Sequence, residues 1–72
     1  VADRSTGYTV VEYEVDEMGF VRNPRLIENT GHRDFEQASI EAALKFRYAP
    51  RFIDGKPVAV EGVQNRFTFE IR

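Results

Sequence analysis

Of the residue types that most often carry acid–base, thiolate or metal chemistry, this chain has one histidine, His32, and 12 carboxylates, with no cysteine among 72 positions. A nucleophile with its base, a convergent acid and base pair or a metal centre needs such groups brought together, and no histidine pair stands at helical spacing. His32 lies between Gly31 and Arg33 in a stretch that reads as a loop, so a solvated turn histidine is expected. Catalysis would require a cleft around it with a perturbed carboxylate nearby. Glu12, Glu14 and Asp16 put carboxylates on one side of an alternating segment. A hard-cation site is one reading, but loops normally gather more oxygen ligands than a strand face does, and a solvated outer face is expected. Glu36 and Glu41 with Lys45 and Arg47 read as the wet side of a helix with paired charges. The chain is therefore not expected to be an enzyme, and no metal or cofactor is implied.

Arg66-Phe67-Thr68-Phe69 has a distant likeness to the aromatic strand of an RNA-recognition sheet. The small residue normally flanked by those aromatics is absent, and Phe67 and Phe69 share the face that should meet a helix, so core packing is the expected role. The net charge of -2 arises from 12 acidic and 10 basic side chains scattered along the chain, without the basic stripe that phosphate binding needs. Nucleic acid is not an expected partner. With 42% hydrophobic and 31% charged residues and no apolar run near the roughly 20 residues a bilayer requires, the chain is not expected to be embedded in a membrane. At this length a single domain, 1–72, is expected, with a stability on the order of 4 to 10 kcal/mol supplied by its core alone. An opening at Val1 without an initiator methionine or signal peptide reads as a piece of a longer protein.

The elements that must position these residues follow from periodicity. Thr9 to Asp16 alternates, Val11, Tyr13 and Val15 against Glu12, Glu14 and Asp16, and predicts a half-buried strand. Asp16-Glu17-Met18-Gly19 is a short turn, and Phe20 to Asn29 a second strand, making a hairpin. In that strand Val21 and Leu26 have opposite parity, so a bulge near Pro24 and a place at the sheet edge are expected. After a loop around Gly31, Asp34 with Gln37 is read as a variant capping box opening a helix that runs to about Tyr48, stopped by Pro50. Phe35, Ala38, Ala42 and Phe46 form its sheet-facing stripe. Ile40, Leu44 and Tyr48 form a second stripe, for which cover by the segment from Pro50 to Val60 is favoured over a contact surface. Asp54-Gly55-Lys56-Pro57 is a turn, Val58 to Val60 a short extended piece, and Val63 to Ile71 the third main strand, with Val63, Phe67, Phe69 and Ile71 facing one way.

The order strand, strand, helix, strand gives an α+β fold with one helix packed on one face of a small antiparallel sheet. If strand three docks beside strand one, the spatial order is two, one, three, and strand three runs parallel to strand two. Strand three then has a free backbone edge able to accept a strand from another chain, with Gln64, Arg66, Thr68 and Glu70 pointing away from the core.

Gly19-Phe20-Val21 after an acidic turn, Gly31 before a helix, Phe46-Arg47-Tyr48-Ala49-Pro50, Gly55-Lys56-Pro57-Val58 and a final Phe69-Glu70-Ile71 together resemble the C-terminal domain of TonB energy transducers. The likeness runs from about Gly7 to Ile71, and the aromatic-Arg-aromatic-x-Pro series is its most specific part. It implies a periplasmic domain of a protein anchored in the inner membrane, joined by a proline-rich linker to a helix that works with the proton-driven ExbB and ExbD motor. It further implies binding of the TonB box, a short extended segment of outer-membrane receptors for iron-siderophores, haem or vitamin B12, by strand addition. The last strand, here Val63, Gln64, Asn65, Arg66, Phe67, Thr68, Phe69, Glu70 and Ile71, is the implied contact. Gly19, Gly31, Phe46, Arg47, Tyr48, Pro50, Gly55 and Pro57 are implied as structural motif positions. Two departures stand out: Phe46 occupies a place where the family usually has Trp, and the family's Gln-Pro-x-Tyr-Pro receptor-contact segment is absent. A TonB-like or TolA-like module serving as adaptor or sensor in another envelope protein is the alternative reading.

Overall fold

The computed structural model describes residues 6–70. Alternation carries directly into β1 (Thr6–Val15), where Thr9, Val11, Tyr13 and Val15 are buried and Tyr8, Val10, Glu12 and Glu14 occupy the open face. The strand begins earlier than its apolar alternation suggested, because Thr6, Gly7 and Tyr8 also pair with a neighbour. Asp16 ends it by organising the turn: its Oδ1 accepts the N–H groups of Met18 and Phe20, each at 2.9 Å. Gly19 completes the turn at a φ of 91°, which a side chain rarely tolerates.

β2 (Val21–Asn29) returns antiparallel to β1. Val21 and Leu26 both reach the core side despite their opposite parity, because the register slips between Glu12 and Glu14, opposite Asn23 (φ 53°) and Pro24. This is the expected bulge. A second slip, between Val10 and Val11, turns Ile27 out to solvent.

The helix α1 (Asp34–Leu44) departs from expectation at both ends. Arg33 is the N-cap residue with helical φ and ψ of -60° and -27°, and its side chain makes no capping bond, so Asp34 and Gln37 form no capping box. The loop serves the first-turn amides instead: His32 Nδ1 accepts the Asp34 N–H and the His32 carbonyl accepts the Phe35 N–H, each at 3.0 Å. At the other end, Lys45 and Phe46 donate to the Ala42 and Ala43 carbonyls at 3.2 and 3.1 Å, tightening the last turn. The chain then leaves to pair with the β1–β2 turn through a Phe20–Arg47 bridge and a 2.9 Å bond from the Tyr48 N–H to the Gly19 carbonyl. Tertiary pairing, not Pro50, ends the helix.

The buried helix positions are Phe35, Ser39 and Ala43, so the expected inward Ala38 faces solvent and Ser39 takes its place. A buried hydroxyl must be bonded, and Ser39 Oγ meets Thr9 Oγ1 across the interface and the Phe35 carbonyl at 2.6 Å. The second stripe divides. Ile40 packs on the core, Tyr48 meets the Tyr13 hydroxyl, and Leu44 stays 53% exposed, not covered by the Pro50 to Val60 segment.

That segment instead folds into a hairpin, β3 (Arg51–Ile53) and β4 (Lys56–Val58), turning through Asp54 and Gly55 at φ values of 52° and 78°. Two successive positive φ angles are the signature of a tight turn matched to strand twist, for which Asp-Gly is favoured. Lys56 and Pro57 thus belong to a strand, not to the turn, and the extended piece at Val58 to Val60 is split between two elements. β5 (Val60–Glu70) starts earlier than the expected Val63 and pairs antiparallel with β1. The sheet order is β2-β1-β5, which makes β5 parallel to β2 as expected. The molecule measures 54 × 18 × 14 Å. An 11-residue strand rising about 3.3 Å per residue fits only along the long dimension, so the sheet runs lengthwise.

Candidate strand-accepting edge

Among the described residues β5 pairs with β1 alone, which leaves its other side unpaired by any strand. Which of its amides face outward can be worked out from β1. The Tyr8 amide and carbonyl bond Thr30 Oγ1 and the Thr30 N–H at 3.0 Å each, and the Asp16 N–H bonds the Phe20 carbonyl at 2.8 Å. Even-numbered β1 residues therefore turn their backbone groups toward β2, and Gly7, Thr9, Val11 and Tyr13 turn theirs toward β5. Their partners there are Phe69, Phe67, Asn65 and Val63. It follows that Gln64, Arg66 and Thr68 direct their amides and carbonyls away from β1. The regular row ends at a bulge, where the register slips between Tyr13 and Val15 opposite Glu61 and Gly62 (φ 70°).

The opposite edge of the sheet differs. β2 carries Pro24, which has no N–H, and two bulges that interrupt the row of backbone groups.

Side chains divide along β5 as the alternation predicted: Gln64, Arg66, Thr68 and Glu70 are exposed, and Val63, Asn65, Phe67 and Phe69 are half-buried on the helix side. Ile71 lies outside the described residues. Half-burial has a structural cause, since α1 packs over β2 and β1 and reaches β5 through aromatic stacks. Phe35 stacks on Phe69 with centroids 4.3 Å apart, and Phe46, just past the helix, stacks on Phe67 at 5.6 Å. Both rings are engaged within the fold, which removes the stacking platform that RNA binding would need. On the open face the Arg66 guanidinium lies 4.2 Å from the Tyr8 ring centroid, and Gln64 Nε2 donates to Glu12 Oε1 at 3.0 Å. That bond, together with the Arg25 guanidinium, holds the Glu12 carboxyl below the usual carboxylate range.

The motif residues act as a clamp between helix end and turn. A side chain at Gly19 would place its Cβ 2.0 Å from the Tyr48 carbonyl oxygen, and one at Gly31 would meet the Phe35 ring at 2.5 Å. The Arg47 guanidinium sits 3.9 Å above the Phe20 ring. The Tyr48 hydroxyl bonds that of buried Tyr13, whose pKa burial and this bond push up from 10.0 to about 12. Pro50 follows the clamp and leads into the β3–β4 arm, whose Gly55 makes the turn and whose Pro57 lies opposite Phe52. The eight motif positions lie around the helix ends, the β1–β2 turn and the arm, and none lies on the outward edge of β5. Sequence reasoning did not anticipate the Thr9–Ser39 hydroxyl pair or the Gly62 bulge, and it gave Phe52 and Ile53 no role at all.

These features define an α+β domain of helix-backed sheet with one interrupted edge and one continuous edge. The family described as the C-terminal of the Gram-negative bacterial TonB protein matches residues 1–71, and the chain belongs to that family. No curated protein matches the chain. TonB C-terminal domains are periplasmic, non-enzymatic modules of energy transduction to outer-membrane receptors, and no helix among the described residues is long and apolar enough to cross a membrane.

Proposed function

We propose that this domain grips the TonB box of outer-membrane transporters by strand addition along β5, as the single domain at the receptor end of a longer inner-membrane-anchored transducer. Work driven by the proton-motive force through ExbB and ExbD then reaches receptors for siderophores, haem or vitamin B12. The observation that supports this reading is the continuous outward row of backbone groups at Gln64, Arg66 and Thr68, set beside an opposite edge broken by Pro24 and two bulges. Contact falls on Val63 to Ile71 in this reading, the outward residues supplying main-chain bonds and the rest lying alongside. A few backbone bonds, each worth about 0.5 to 1.5 kcal/mol net, give reversible attachment that tolerates varied sequences.

An amide NMR titration with a synthetic TonB-box peptide, with a scrambled peptide as control, tests it. The expected result is slowed exchange at the Gln64, Arg66 and Thr68 amides, while those of Val63, Asn65, Phe67 and Phe69 are protected before peptide is added. Unchanged exchange at the outward amides at millimolar peptide would reject edge binding.

A further inference from the structure

Where β5 starts, the sheet and the β3–β4 arm form a small, half-open cavity of about 140 Å³ bordered by Val15, Tyr48, Ala49, Val58, Val60 and Val63. Its inner surface is formed largely by aliphatic carbons, and Asp16 and Arg51 complete its lining. The Asp16 carboxylate is already committed to the Met18 and Phe20 amides and to Arg22, at 2.9 Å each. The cavity therefore offers dispersion and dehydration, not hydrogen bonds, to whatever enters it.

Its position ties it to the edge. Val60 and Val63 belong both to the cavity and to β5. Outward amides begin at Gln64, one residue past Val63, and regular pairing stops at the Glu61–Gly62 bulge. A strand laid along the edge thus has one end beside this cavity. Its side chains alternate between the two faces, and one near that end falls on the helix side, next to Val63. Resting on the strand-addition reading, we infer that the cavity is an anchor pocket for one aliphatic side chain of the added receptor segment. The segment is fixed in register by that residue while its backbone bonds along β5 stay indifferent to sequence.

The test uses calorimetric titration of the domain with a TonB-box peptide, repeated with each peptide residue in turn replaced by aspartate. One aliphatic position is expected to dominate, its replacement weakening binding about 10- to 100-fold. The methyl resonances of Val58, Val60 and Val63 are expected to shift on binding of the parent peptide. Ala49→Leu fills the cavity from its rim, and Val58→Phe fills it from the arm; each is expected to weaken the parent peptide at least about 10-fold, with the Arg66 amide still protected at saturation. Unchanged affinity in both variants, with the edge amides protected as before, overturns the pocket and leaves strand addition standing. Absence of binding and of edge protection in the unsubstituted domain overturns both.

Discussion

Arg66→Pro separates the edge from the fold. Proline lacks an N–H, and the one it removes here points away from β1, so the Asn65 and Phe67 bonds to Val11 and Thr9 survive. Asn65, before it, is already extended, as a residue preceding proline prefers to be. A docked strand would meet a ring carbon where it needs a donor and leave a carbonyl unsatisfied. That penalty is about 1 to 3 kcal/mol, or about 5- to 150-fold in affinity. Arg66→Gln keeps the amide and removes only the guanidinium stacked on Tyr8, so it is expected to bind within about 3-fold of the unsubstituted domain. Asn65→Pro deletes an amide facing β1 and is expected to cost about 2 to 4 kcal/mol of stability. Calorimetry gives the affinities and urea unfolding the stabilities. If Arg66→Pro remains folded and binds a TonB-box peptide as tightly as Arg66→Gln, the assignment of outward amides is refuted.

Gly19→Ala combines a φ of 91° with a Cβ 2.0 Å from the Tyr48 carbonyl oxygen, and is expected to lower stability by about 2 to 4 kcal/mol in urea unfolding. Ser39→Ala strands the Thr9 hydroxyl and should cost about 1 to 3 kcal/mol, whereas Thr9→Val with Ser39→Ala costs less than the sum of the single changes; a double-mutant cycle measures the difference. Alkaline unfolding reports Tyr13. Its folded pKa is raised, so its contribution is complete below pH 10.0 and is lost as pH rises toward about 12, a loss that Tyr13→Phe removes. Asp16 and Glu12 act in the opposite sense. A backbone bond from the Phe20 N–H depresses the folded pKa of Asp16, and a bond from the Gln64 side-chain Nε2 depresses that of Glu12. Stability they contribute is present above 3.8 and 4.5 and declines as pH falls below those values, which Asp16→Asn and Glu12→Gln remove from an acid titration of stability.

Periodicity was enough to read β1, β2 and β5, because one face of each meets the core and the period of two is written into Val11, Tyr13, Val15 and Phe67, Phe69. The Pro24 bulge was legible too, since only an extra residue reconciles Val21 with Leu26. Helix phase was not. An apolarity count prefers Ala38 to Ser39, and only the presence of Thr9 on a strand thirty positions away makes the serine the better inward residue. The helix end was misplaced for a related reason: Phe46 to Tyr48 have helical propensity enough, and it is the Gly19–Phe20 backbone that captures them. The β3–β4 hairpin did carry a local sign, Asp54-Gly55 between Phe52-Ile53 and Val58, which was read as a turn followed by a short extended piece, without the strand before it. Edge status is a property of topology, so the candidate contact on β5 became visible in sequence only once the order of strands had been inferred.

The unequal edges of the sheet set a valency. A sheet open on both sides passes its pattern from copy to copy and has no reason to stop, which is how extended β assemblies grow. Here one side is interrupted by Pro24, Asn23 at its positive φ and the ejected Ile27, so within this three-stranded sheet the continuous row lies on β5. Even two copies meeting through β5 would present only interrupted rows outward, and growth would end at the pair. On the proposed strand-addition reading, one domain holds one segment at a time, and release of that segment is the condition for holding the next.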